Sequence, residues 1–79
     1  MELFTNIKDY ISENNYKITI TNNVINIVNY IEIKEFSSTK IIIKYKNGYT
    51  TIDGKSLVIS KMLDNEILIM GSINSILLR

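Results

Sequence analysis

The sequence predicts a small all-β protein: an antiparallel sandwich, roll or barrel of short strands, preceded by an N-terminal helix. Three observations carry that expectation. From Tyr16 onward apolar and polar residues alternate with the period of a strand. Turn signals interrupt this alternation roughly every 8 to 10 residues, the spacing of small all-β domains. Isoleucine dominates, with 17 Ile and no Ala in 79 residues; Ile favours strands, and Ala is the best helix former.

The N-terminal segment is the exception to the two-residue period. Leu3, Phe4, Ile7, Tyr10 and Ile11 recur at helical spacing between Glu2 and Glu13. Asn14-Asn15 supplies a plausible stop, since Asn tolerates the left-handed conformation at a helix C-terminus. So short a helix is marginal alone and must dock on something. The chain thus reads as a helix over 1–15 and a β domain over 16–79.

In the β domain Ile18 and Ile20 alternate with Lys17, Thr19 and Thr21, and Asn22-Asn23 is a turn candidate. Ile25, Ile27, Ile31 and Ile33 continue one face. The polar Asn29 on that apolar parity predicts a bend or bulge midway. Ser37-Ser38-Thr39 breaks the chain again, and Ile41, Ile43 and Tyr45 then share a face opposite Lys40, Lys44 and Lys46. Asn47-Gly48 is the strongest local signal, because both residues accept the positive φ of a type I′ hairpin turn. Further turns are expected at Asp53-Gly54-Lys55-Ser56, Asp64-Asn65 and Gly71-Ser72, separating Leu57–Ile59, Glu66–Met70 and Ile73–Leu78.

Several of these strands are apolar on both parities. Val24, Val28 and Tyr30 oppose the Ile25 series, and Leu68 and Met70 oppose Ile67 and Ile69. A single sheet with one wet face alternates more cleanly. Either the sheet closes on itself, or the helix or a partner covers its second face. In so small a chain the core barely offsets the entropy of folding, so a partner or a second copy is the expected aid.

Composition excludes more than it specifies. Nine Lys+Arg against eight Asp+Glu give a net charge of +1, without the basic excess of a dedicated nucleic-acid binder. With no Cys there are no disulfides or thiolate metal sites. With no His the usual general base and the commonest metal ligand are missing. No stretch approaches a membrane span and Met1-Glu2-Leu3 lacks a basic signal start, so a cytoplasmic location is the default.

Candidate chemistry is correspondingly thin. The acids fall on strand faces, turns and a helix end, each with an ordinary structural explanation, and no serine has a base to activate it. The glycines stand singly, outside any phosphate-cradling pattern. No catalytic residue, cofactor, metal ligand or small-molecule substrate is expected. Lys44, Tyr45, Lys46 and Tyr49 bracket the hairpin turn, pairing stacking aromatics with cations as a small OB- or Sm-like nucleic-acid binder would. Strand alternation puts Tyr45 on the opposite face from both lysines, which disfavours that alternative. The Leu3/Phe4/Ile7/Ile11 face is the candidate interaction surface, better suited to a protein than to anionic lipid because its helix is net acidic.

The β region resembles the YabP/YqfC family of sporulation proteins. Ile18-Thr-Ile-Thr and Ile25-Asn-Ile-Val-Asn-Tyr30 match the family's opening. Ile41-Ile-Ile-Lys-Tyr-Lys-Asn-Gly48, Ile52-Asp-Gly-Lys-Ser-Leu-Val-Ile59 and Glu66-Ile-Leu-Ile-Met-Gly71 with Ile73 carry the rest in order, so the resemblance runs from about Lys17 to Leu78. It implies a small protein of endospore-forming Firmicutes that acts in envelope or coat assembly. It also implies a protein partner, including a membrane-associated one that would hold the chain at a membrane periphery, or a homo-oligomer. Gly54 and Gly71 match motif glycines, with positive φ or close backbone approach as their implied role. Leu57, Ile59, Ile69 and Ile73 match its apolar positions. The family motif carries no catalytic residue. The short, acidic N-terminal segment departs from the longer basic stretch the resemblance would imply.

Overall fold

A computed structural model describes residues 15–79, so the helix expected over 1–15 and its Leu3, Phe4, Ile7 and Ile11 face lie outside the described residues. The described chain is all-β. Its strands are β1 (Lys17–Thr21), β2 (Val24–Val28), β3 (Glu32–Phe36), β4 (Lys40–Tyr45), β5 (Gly48–Met62) and β6 (Glu66–Leu78). They form one antiparallel sheet in the order β1-β2-β6-β5-β4-β3.

The first four strands are as short as the turn spacing implies, but β5 and β6 run for 15 and 13 residues. The signals at Asp53–Ser56 and Gly71-Ser72 are therefore not turns that end strands. They lie where the long β5–β6 hairpin bends, with its register shifting between Asp53 and Gly54, Lys55 and Val58, and Ile59 and Lys61. Bulges of this kind bend a strand without ending it. Ser56 has φ 55° and Gly71 φ 141° at the bend.

The bend divides the sheet into two leaves. One holds β1, β2, the first part of β6 and the last part of β5. The other holds the last part of β6, the first part of β5, β4 and β3. Ile25, Ile27, Ile67 and Ile69 from the first leaf are fully buried, as are Ile41, Ile43 and Ile52 from the second. These residues and Leu57, at the bend, form one core cluster. Since no other described element covers either inner face, the leaves cover each other. The sheet closes over its own core, while the second apolar parity, Val24, Val28, Leu68 and Met70, stays on the outer face with Met70 exposed.

Two turns place the leaves. Asn29, with φ 67°, turns the chain out of β2 toward β3. Its backbone N–H donates to the Asn65 carbonyl at 2.6 Å, its side-chain amide to the Asn15 carbonyl at 2.6 Å, and it accepts from Asn65 Nδ2 at 3.2 Å. The bend predicted at Asn29 is thus a corner tied to the β5–β6 turn. The β4–β5 hairpin turns one residue earlier than Asn47-Gly48. Tyr45 pairs with Gly48, leaving Lys46-Asn47 as the loop, and neither Asn47 nor Gly48 has positive φ. The type I′ expectation is corrected on both counts. Moving the loop by one residue shifts the pairing by two, so Ile41, Ile43 and Ile52 keep their faces.

Candidate functional site

The candidate residues from the sequence fall into three places. Lys44 and Tyr49 pair across β4 and β5 on the outer face, with Lys44 Nζ 5.1 Å from the Tyr49 ring centroid. Lys46 and Asn47 stand exposed in the loop. Tyr45 is turned away from them: it stacks on Tyr16 with centroids 4.2 Å apart, and its hydroxyl donates to the Arg79 carbonyl at 3.3 Å. Lys44, Tyr45, Lys46 and Tyr49 therefore do not share one surface. The pairing of Lys44 with Tyr49 makes an intramolecular cation–π contact.

Gly48, Gly54 and Gly71 sit where backbones meet. A Cβ on Gly48 would strike the Arg79 carbonyl, and one on Gly54 the Ser72 carbonyl. At Gly71 a Cβ would lie 2.7 Å from the Ser56 carbonyl oxygen. Close approach is thus the role of Gly48 and Gly54, whereas Gly71 combines it with positive φ.

The acids are spread out. Among the described residues no group of three or more could hold a metal ion. Glu66 accepts from Asn26 Nδ2 at 2.7 Å, Ser75 Oγ lies 3.4 Å from Asp53 Oδ2, and Glu32 lies 3.7 Å from Lys34 Nζ. The Tyr16 hydroxyl donates to Thr50 Oγ1 at 2.8 Å, joining the start of the first leaf to a fully buried threonine of the second. Burial, and less strongly the neighbouring Tyr45, push the Tyr16 hydroxyl above its ordinary pKa, while the Thr50 bond pulls it down. This inter-leaf tyrosine latch escaped the sequence reading. Its one signal was Tyr16 sharing the parity of Ile18 and Ile20.

What the surface offers is strand edge and apolar area. Across the first leaf's outer face, Val24 pairs with Met70 and Met70 with Val58; Met70 and Val58 are 42% and 49% exposed. Asn26–Leu68–Lys61 forms the adjoining row. Among the described residues each leaf is open at both sides, which leaves four edges: β1, β3, the last part of β5 and the last part of β6. Tyr49 and Arg79 exchange both backbone hydrogen bonds, each 2.8 Å. Such exchanges recur at every second pair of an antiparallel ladder. Thr51–Leu77 and Asp53–Ser75 are the next pairs of that kind, and the N–H and C=O groups of Ile76 and Leu78 point away from β5. Leu77 and Leu78 are 47% and 52% exposed. Chemically, this arrangement can add a strand or bury an apolar face.

No described helix is long and apolar enough to cross a membrane. Searches of curated proteins and of solved structures found no match. A family model described as the YabP family matches residues 12–79, which takes in every described strand. On that match the chain belongs to the YabP family, and membership supports a sporulation-related protein.

Proposed function

We propose that this chain is a non-enzymatic assembly and interaction module acting in spore envelope or coat formation. The observation that carries the reading is the YabP family match over residues 12–79. The exposed strand edges and the Val24–Met70–Val58 row support it, since they are surfaces for pairing and burial. The partner is a protein, either a second copy or a membrane-associated sporulation protein that holds the chain at a membrane periphery from the cytoplasmic side. The small-barrel nucleic-acid alternative gains nothing from a Tyr45 that stacks on Tyr16.

Deleting the coding sequence from the source strain tests the reading. The expected result is a loss of heat-resistant spores of at least about tenfold, or a visibly defective envelope by electron microscopy. A source strain that forms no endospores, or normal counts and normal envelopes after deletion, would overturn it.

A further inference from the structure

We propose that the last part of β6, Ser75–Leu78, is a self-association edge. It pairs antiparallel with the same strand of a second copy, about a two-fold axis at Ile76. The proposal rests on the assembly reading and names its surface.

The backbone supplies the bonding. Ile76 and Leu78 direct their N–H and C=O groups away from β5, and among the described residues only Glu66 through Met70 of β6 pairs with β2. Two such strands run antiparallel place Ile76 opposite its own counterpart, and Leu78 opposite Asn74, the residue that the register shift between Asp53 and Gly54 leaves without a partner on β5. Ile76 and Leu78 are the positions whose groups face outward. The four-strand leaves of two copies then form one continuous sheet.

The side chains favour the same edge. From Gly71 to Leu78 there is neither charge nor proline, the two devices that most often guard an exposed edge. The register shift that leaves Asn74 unpaired lies just ahead of Ser75–Leu78; the other edges carry charge as well. β3 bears Glu32, Lys34 and Glu35 and a bulge between Ile33 and Glu35. The last part of β5 carries Lys61 and a register break. β1 begins with Lys17 and offers outward groups at Ile18 and Ile20 alone, since its hairpin pairing to β2 uses the alternate residues.

A second copy is the occupant that this edge fits by itself. In the two-fold register Ser75 faces Leu77 and Ile76 faces Ile76, so no like charges meet and the exposed leucines are covered. A seam of one strand pair is small beside a permanent interface, so association depends on concentration.

Light scattering of the full chain over a concentration series tests this. The mass is expected to rise toward twice the monomer value. Ser75→Lys/Leu77→Lys sets two ammonium groups opposite each other across the seam and is expected to weaken association at least about tenfold. Ser75→Lys/Leu77→Glu faces each ammonium with a carboxylate and is expected to restore it, now with a sensitivity to salt that the wild type lacks. Circular dichroism verifies folding, and should the doubly basic variant not fold, the salt response of the restored one decides. A wild type that stays monomeric, equal association by the doubly basic variant, or a restored variant indifferent to salt each overturns the proposal. A monomeric chain whose deletion still impairs spores would sink this edge and leave the assembly reading standing. A dimer whose deletion has no effect would do the reverse.

Discussion

Tyr16 shows how one side chain fastens this molecule. Its ring stacks on Tyr45, and its hydroxyl satisfies Thr50, whose side chain is fully buried. Tyr16→Phe keeps the stack and leaves that hydroxyl without its donor. The expected cost is about 1–3 kcal/mol at neutral pH, measured by urea unfolding. The latch also carries a pH dependence of known sign. Burial raises the folded-state pKa above the ordinary 10.0, so the folded chain holds this proton more tightly than the unfolded one. The contribution is complete below pH 10.0 and is lost as pH climbs through the raised value. Wild-type stability should therefore fall more steeply above that pH than Tyr16→Phe stability, and parallel alkaline slopes would refute this.

The β5–β6 hairpin decides the architecture at the next scale. Gly54 and Gly71 let the two strands approach while both bend, and Ser56 takes a left-handed conformation that a side chain rarely adopts. Gly54→Ala would push its methyl group into the Ser72 carbonyl, a backbone atom that cannot swing aside. The expected loss is about 1–3 kcal/mol, read as a lower urea midpoint at unchanged slope. An unaltered midpoint would mean that the strands separate there at no cost. Glycine, Asp and Ser at positions 53–56 are turn residues by composition, and sequence alone reads them as a turn. Only the ladder that continues through them makes them a bulge, because turns and bulges require the same backbone conformations.

Across the whole molecule, seven fully buried isoleucines divided between the leaves make one core. Among the described residues neither leaf has an inner covering of its own, so the two should unfold together. Ile52→Ala, in the second leaf, is expected to cost about 2–5 kcal/mol. That is a large share of the roughly 4–12 kcal/mol that a domain of this size holds. Tyrosine fluorescence and far-UV circular dichroism should report one coincident transition before and after the change. Two separated transitions would show that the leaves fold independently.

The sequence by itself determined the strand faces. Ile25, Ile27, Ile41, Ile43, Ile52, Ile67 and Ile69 are the buried parity that alternation marks, because which side of a strand a residue takes is a local property. It also determined the bend at Asn29 and, through the resemblance, the family. Only the tertiary structure decided how the strands were joined. It moved the hairpin loop from Asn47-Gly48 to Lys46-Asn47, fused short segments into β5 and β6, and revealed the tyrosine latch and, among the described residues, the sheet edge at Ser75–Leu78. Each of these depends on which backbone groups meet across the fold, and the pairing of distant segments leaves no periodic mark on the chain.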